Sequence, residues 1–163
     1  MKRFAIPAAA LVILAGFLFW WFSPAQVLKR RTLSLLETLT MDAGTGKSTR
    51  QLGVYSLNAL LAPEVELRTP TIAEADGIFE RSELESAFSW LCQHAKQTHF
   101  ELDKIEAVNI SGDRGEVVFS LDALVELPAY RPADGRFQVT FHWQREKNES
   151  WRLAAAEWLE RKP

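Results

Sequence analysis

The chain has 163 residues, of which 47% are hydrophobic and 25% are charged, and its formal net charge is −2. This composition excludes a disordered chain, a collagen-like chain and a disulfide scaffold, and it indicates one domain of modest size. A slightly acidic domain lacks the concentrated basic surface of nucleic-acid binders, so we expect no nucleic-acid partner. The single cysteine, Cys92, excludes an internal disulfide and any multi-cysteine metal site.

The first apolar segment, Phe4 to Phe22, contains no charged residue. As a helix it would be about 28 Å long, close to the hydrocarbon thickness of a bilayer. Trp20 and Trp21 stand where an aromatic belt is expected, and the basic pair Lys2 and Arg3 favours a cytoplasmic N-terminus. We therefore predict a single-pass protein of the inner (cytoplasmic) membrane, with its domain on the extracytoplasmic side.

These expectations divide the chain into a short tail (1–3), a transmembrane helix (4–22) and a domain (23–163). A cleaved signal peptide is the alternative, because Ser23-Pro24-Ala25 supplies small residues at a possible cut. The basic residues at 29–31 nearly balance the N-terminal charge, so the orientation is also open.

Three helices are predicted at the start of the domain. The first begins at Ser23-Pro24, and its apolar stripe runs to about Thr40 through Leu28, Thr32, Leu35, Leu36 and Leu39. Capping boxes are predicted to open the other two, Ser48 with Gln51 for a helix through Leu61, and Ser82 with Glu85 for one through Gln97. The stripe of the third helix contains Leu84, Ala87, Phe88, Leu91 and Ala95.

The loop before the second helix contains Gly44-Thr45-Gly46-Lys47-Ser48, which partly matches a phosphate-binding loop. That motif needs a glycine where this chain has Met41, and it needs a preceding strand where this chain has helical periodicity. We interpret the segment as a connector.

The rest of the domain shows strand patterns. Val65 to Arg68 and Ile78-Phe79 are predicted as short extended pieces, and after Thr98 the pattern changes to period two and forms four segments of an antiparallel meander. The first segment loses phase near Lys104, which indicates a bulge. In the last of the four segments, Trp151 to Glu160, we predict Trp151, Leu153 and Ala155 on one side of the strand and Trp158 on the other. Six residues are expected to be mutually buried: Phe88, Leu91, Phe119, Leu121, Val139 and Phe141.

This order of elements resembles the nuclear transport factor 2-like superfamily (SnoaL-like and ketosteroid isomerase-like proteins). The resemblance rests on the helix from Arg81 to Gln97 leading into His99 to Asp113, on the hairpin around Gly112-Asp113, and on the closing Trp151-Arg152-Leu153. It implies an α+β domain in which three helices pack on a curved, mainly antiparallel sheet, forming a cone. Members of that superfamily include isomerases, cyclases and non-catalytic scaffolds, some of them membrane-anchored.

An enzyme on such a scaffold needs an acid/base pair in the cone. Isomerase-like members place a tyrosine on the first helix, and this chain has none there. The pocket candidates are Tyr55 on the second helix, Trp90 and His94 one turn apart on the third helix, and Asp103 as a possible acid. A small hydrophobic ligand is the possible occupant. The spacing of His94, His99 and His142 matches no metal-ligand motif, so we expect neither a metal nor a cofactor.

The sheet face without helices supplies the other candidates. On the third strand it reads Gln138, Thr140, His142 and Gln144, polar and uncharged, and Trp158 is predicted to add an aromatic anchor. We predict that this face binds a protein partner or a second copy of the chain, in a scaffold or assembly role. The alternative is small-molecule binding or isomerase/cyclase-like catalysis in the cone.

Overall fold

The computed structural model describes residues 14, 17–69, 75–147 and 150–160. The predicted tail (1–3) and residues 4–13, 15 and 16 of the predicted transmembrane helix lie outside the described residues. Across the ranges that are described, no helix combines the length and the apolar character that a bilayer crossing requires.

Three helices follow Ser23: α1 (Pro24–Leu39), α2 (Lys47–Leu60) and α3 (Arg81–His94). Residues 17–21 are helical as well, so the described part of the chain has four helical segments where three were predicted for the domain. α1 starts at Pro24 as expected, because a proline costs nothing at the first helical position. Its predicted stripe faces the core, with Leu28, Thr32, Leu35 and Leu36 buried.

The predicted capping boxes are wrong. α2 has Gly46 at its N-cap, without a side-chain cap from Ser48. The N-cap of α3 is Glu80, two residues before the predicted Ser82, and the Glu83 carboxylate accepts a 2.8 Å hydrogen bond from the Glu80 N–H. The end of strand β2 fixes this start, since β2 runs directly into α3.

Within the described residues, six strands form one sheet in the order β2-β1-β6-β5-β4-β3. Their bounds are β1 (Leu61–Arg68), β2 (Gly77–Glu80), β3 (Gln97–Ser111), β4 (Arg114–Glu126), β5 (Ala133–Arg145) and β6 (Trp151–Glu160). The last four form the predicted meander, and the two short pieces continue the sheet because β6 pairs with β1 in parallel. The predicted α+β class and mainly antiparallel, curved sheet are confirmed.

The turn between β3 and β4 needs a glycine, because Gly112 has φ +61° in the left-handed region. The bulge predicted in β3 is present, as the register shifts between Leu102 and Lys104 and again between Ile105 and Ala107. At the other end of β3, Thr98 donates from its hydroxyl to the Leu39 carbonyl at 2.6 Å, which ties the sheet to the end of α1.

The core lies between the three helices and one face of the sheet, which we call the inner face. Phe88, Phe119, Leu121, Val139 and Phe141 are buried there, as predicted, whereas Leu91 is partly buried and packs against them. Phe119 and Phe141 meet edge to face, with ring centroids 4.9 Å apart. Gly115 lets α1 come close, because a Cβ at this position would collide with the side chain of Leu28.

The predicted sidedness of β6 is wrong in its second half. Leu153 pairs with Trp143, but Ala155 pairs with His142, so the register shifts by one residue at Ala154. Beyond this bulge Ala156 and Trp158 lie on the inner face, and Ala155 lies on the opposite, outer face.

Candidate functional site

A cavity of about 230 Å³ lies between the helices and the inner face of the sheet. α1, α2 and α3 contribute aliphatic and aromatic side chains from their apolar stripes, and β1, β5 and β6 contribute the floor. The lining consists of Leu35, Leu39, Leu57, Leu61, Val65, Leu67, Leu84, Ala87, Phe88, Leu91, Phe141, Leu153, Ala156 and Trp158. This lining provides apolar contact area, whereas proton transfer requires a positioned acid and base.

Trp158 belongs to this cavity and to an aromatic cluster beside it. Its ring centroid lies 5.8 Å from that of Phe137 and 6.3 Å from that of Phe100, both in edge-on arrangements. The prediction that Trp158 lies on the outer face with His142 is therefore wrong, because the bulge at Ala154 turns it inward. The predicted role of Trp158 in an interface stays a prediction.

The four pocket candidates are not brought together by the structure. Tyr55 is 78% exposed on α2, and Asp103 is exposed at the bulge of β3. Trp90 and His94 do contact each other, with stacked rings 4.5 Å apart, but both are exposed on the side of α3 that faces away from the cavity. Trp90 and His94 are one helical turn apart. Helical periodicity places Trp90 off the apolar stripe, whereas His94 is seven residues after Ala87 and lies at the border of the stripe.

The outer face carries the polar side chains of β5, as predicted. Gln138 donates to the Glu106 carboxylate at 2.8 Å, and Ser120 donates to the same carboxylate at 2.8 Å. Gln144 donates to Asp113 at 3.3 Å. The polar strip of β5, formed by Gln138, Thr140, His142 and Gln144, is thus bordered by carboxylates. The sequence of β5 alone does not contain this feature.

His142 lies between two carboxylates on this face. Its Nδ1 is 3.8 Å from Glu116 and its Nε2 is 3.7 Å from Glu157. Both carboxylates have other partners, since Asn109 donates to Glu116 at 3.0 Å and Arg68 forms a 2.6 Å ion pair with Glu157. The imidazole of His142 thus has a carboxylate on each side, beyond hydrogen-bond distance of both.

A groove of about 460 Å³ opens at the end of the outer face near the β3–β4 turn. It is lined by Asn109, Ile110, Ser111, Arg114, Gly115, Glu116, His142, Trp143, Gln144 and Ala154. Beside the groove, small residues occupy the middle of the face, since Ala107, Val118 and Thr140 pair in one row across β3, β4 and β5 and are half-buried.

Asp122 and Arg136 mark the opposite end of the outer face. The guanidinium of Arg136 donates to both oxygens of Asp122, at 2.9 Å and 3.2 Å. This hydrogen bonding, aided by the charge of Arg136, holds the pKa of the Asp122 carboxyl below its ordinary value.

Arg50 is a structural residue that the sequence analysis missed. It is only 8% exposed, and its guanidinium donates to the carbonyls of Ala95 (2.7 Å), Asp42 (2.6 Å) and Lys96 (2.9 Å). It thereby joins the α1–α2 loop to the end of α3. Arg50 is seven residues before Leu57 and therefore on the same face of α2, so helical periodicity could have predicted that it is buried.

Cys92 packs beside Arg50, and its thiol lies 3.4 Å from the Arg50 carbonyl oxygen. Burial raises the pKa of the Cys92 thiol, against a lowering by the Arg50 charge. Among the described residues no group of three or more His, Cys, Asp or Glu side chains is arranged to hold a metal ion.

No protein-family model matches the sequence, and no curated protein matches it. Solved structures match its fold. One is a nuclear transport factor 2-like superfamily protein from Salmonella enterica serovar Typhimurium, with a TM-score of 0.62 at 10% identity, covering 85% of this chain and 92% of that one.

Two further structures match over similar lengths. The CaMKII hub of S. rosetta gives a TM-score of 0.61 at 16% identity, over 85% of this chain and 98% of the hub. A ketosteroid isomerase-like protein from Erwinia carotovora atroseptica gives 0.59 at 14% identity, over 87% and 99%. The chain therefore has the nuclear transport factor 2-like fold, as the sequence resemblance implied.

Proposed function

We propose that this chain is a membrane-anchored protein whose domain binds a protein partner through the outer face of its sheet, in a scaffold or assembly role. The observation that carries the proposal is the outer groove of about 460 Å³ beside a row of small residues. Docked interfaces have such a weakly charged centre and a polar, charged rim. Here Thr140 and Val118 belong to the centre, and Glu116 belongs to the rim.

The charge of the rim indicates the chemistry of the partner. Glu106, Glu116 and Glu157 surround the polar strip of β5, and their carboxylates accept hydrogen bonds from amide, hydroxyl or guanidinium groups. A partner that presents N–H donors or basic side chains around a flat centre complements this surface. The hub protein among the structural neighbours illustrates that the fold accommodates assembly.

The membrane part of the proposal rests on the sequence. Phe4 to Phe22 contains no charge and is long enough as a helix to cross a bilayer. We place the anchor in the inner membrane and the domain on its extracytoplasmic side, as the basic N-terminus favours. Flotation of the full-length chain with membranes after a carbonate wash tests the anchor, and a soluble form that begins near Gln26 would contradict it.

A photo-crosslinking amino acid at Thr140 tests the outer face in membranes of cells that express the full chain. We expect a crosslinked species from Thr140 and none from the matched control at Gln93, which is exposed on α3. Mass spectrometry of that species distinguishes a second copy from a different protein. Equal crosslinking at both positions, or none at either, would contradict the proposal.

A charged substitution provides the second arm of this test. Thr140→Arg, with a crosslinker at His142, is expected to reduce the crosslinked species by about tenfold or more, because a long side chain at the centre of the face keeps a partner from packing against it. Gln93→Arg adds the same side chain to α3 and is expected to leave the species unchanged.

Binding of a small apolar molecule is the second candidate, favoured by the all-apolar lining of the inner cavity. Its volume of about 230 Å³ fits a single ring or a short acyl chain. Ala87→Phe places a ring at the exposed rim of the cavity, and Ser86→Phe places it one residue along the helix as a control. If the cavity binds ligands, added toluene raises the midpoint of thermal unfolding of the wild-type chain and of Ser86→Phe, but not that of Ala87→Phe.

A further inference from the structure

The junction between the aromatic segment and the domain is short and hydrogen-bonded. The Phe22 N–H donates to the Leu18 carbonyl at 2.9 Å, and the Ser23 N–H donates to the Trp20 carbonyl at 3.1 Å. Helical bonding then resumes at once, with the Val27 N–H donating to Ser23 at 3.0 Å. No flexible linker therefore separates residues 17–22 from α1.

Arg30 connects the two sides of this junction a second time. Its guanidinium donates to the Trp21 carbonyl at 2.9 Å and lies 4.6 Å above the centroid of the Trp21 ring. That carbonyl is at the end of a helical segment, where backbone acceptors lack intrahelical donors. The neighbouring Arg31 points elsewhere, to the Ala59 carbonyl at 3.3 Å, and its burial lowers the pKa of its guanidinium.

Several aromatic side chains of the segment that contains Trp21 are exposed. The exposed fractions are 52% for Trp20, 42% for Trp21 and 84% for Phe19, and Phe17 and Phe22 are also exposed. An apolar patch of this kind on one short segment requires a non-aqueous neighbour. Tryptophan and arginine together favour the headgroup layer of a bilayer, where an apolar body and a polar donor are both satisfied.

We propose that Trp20, Trp21 and Arg30 form a lipid-headgroup contact that fixes the orientation of the domain on the membrane surface. The inference rests on the proposed membrane anchor, and it adds a defined geometry to it. A guanidinium has five N–H donors, and the Trp21 carbonyl takes one of them. The others are directed to a lipid phosphate, for which the planar guanidinium is suited. The uncharged run that leads into Phe17 makes the bilayer the occupant of this patch.

Spin labels on the full-length chain test this orientation. Cys92→Ala removes the single cysteine, and labels at Ser34→Cys on α1 and Gln93→Cys on α3 report from two exposed positions. In vesicles of phosphatidylethanolamine and phosphatidylglycerol containing a gadolinium-chelating lipid, relaxation enhancement measures the distance of each label from the headgroups. We expect one narrow distance for each label, with the two values different.

Arg30→Gln is expected to broaden both distance distributions and to abolish the difference between the labels, while the chain stays with the vesicles. Arg30→Lys is expected to do the same, since an ammonium cannot bond the Trp21 carbonyl and a phosphate in one plane. Arg131→Gln, in the exposed loop before β5, is the control and should leave both distances unchanged. Thermal unfolding of each variant verifies that the domain remains folded.

The outcomes separate the two proposals. If the wild-type chain does not float with the vesicles, the membrane anchor is wrong. If it floats but both labels give broad distances, or if Arg30→Gln keeps the narrow ones, the headgroup contact is wrong and the anchor stands.

Discussion

On strand β5, residues one position apart have opposite surroundings. Val139 and Phe141 are buried under the helices, whereas Thr140 and His142 are half-exposed on the outer face. The helices cover the inner face through apolar packing. On the outer face, exposed side chains donate hydrogen bonds to carboxylates. Because side chains alternate along a strand, one short segment supplies both the stability of the domain and its candidate binding surface. Substitutions on the two faces should therefore have separable effects.

The largest separation is expected between Phe141→Ala and His142→Ala. Phe141→Ala should lower the free energy of unfolding by about 3–5 kcal/mol, because it leaves a cavity among packed rings. His142→Ala should cost less than about 1 kcal/mol, since it removes only exposed electrostatic contacts. Urea unfolding of the chain in detergent, followed by tryptophan fluorescence, measures both. Similar losses for the two variants would contradict the assignment of faces.

Trp158→Ala tests the side of the sheet on which the second half of β6 lies. In the aromatic cluster with Phe100 and Phe137, its loss should cost about 2–3 kcal/mol, somewhat less than a fully buried ring. The same substitution should leave crosslinking from Thr140 unchanged. If the free energy of unfolding fell by less than about 0.5 kcal/mol and crosslinking became weaker, Trp158 would lie on the outer face, contrary to this assignment.

Gly115→Ala measures the tolerance of the inner face for added volume. The new methyl group would meet the buried Leu28 side chain, so we expect a loss of about 1–3 kcal/mol from overpacking. Gly44→Ala is the matched control, because its Cβ would meet nothing within 4 Å. Equal midpoints for the two variants would show that α1 can move away from the sheet at little cost.

The smallest effect is expected at the exposed pair of Asp122 and Arg136. The pKa of folded Asp122 lies below its ordinary value, so the pair stabilises the fold above that value and loses its effect as the pH falls through the folded pKa. Carboxyl-carbon NMR should show a midpoint that moves up toward the ordinary value in Arg136→Gln. A midpoint that does not change in Arg136→Gln would show that Arg136 does not lower the pKa of Asp122.

The alternation of β4 and β5 made their faces predictable, because large apolar residues recur at every second position. β6 was predictable only as far as Leu153. The next residues are Ala154, Ala155 and Ala156, and alanine fits either face, so the sequence contains no signal for the bulge that turns Trp158 inward.

The candidate pocket residues were chosen by chemistry and not by position. Trp90 lies off the stripe that correctly predicted Phe88 as buried, His94 lies at its exposed border, and Tyr55 lies on the exposed side of α2. The two carboxylates beside His142 come from β4 and β6, and the carboxylate that accepts from Gln138 comes from β3. Only the observed strand pairing places them along β5. The polar strip on β5 could be read from one strand, whereas its charged border required the assembled sheet.

The parallel pairing of β1 with β6 also has a kinetic consequence. β6 is later in the chain than the other five strands, yet it lies between β1 and β5 and joins the two halves of the sheet. During synthesis the β1–β2 pair and the β3–β5 meander must wait as separate pieces until β6 emerges. Closing such distant contacts is slow compared with forming hairpins, so the insertion of β6 is expected to limit the rate of folding. Until then the apolar inner face remains open to chaperones and to aggregation.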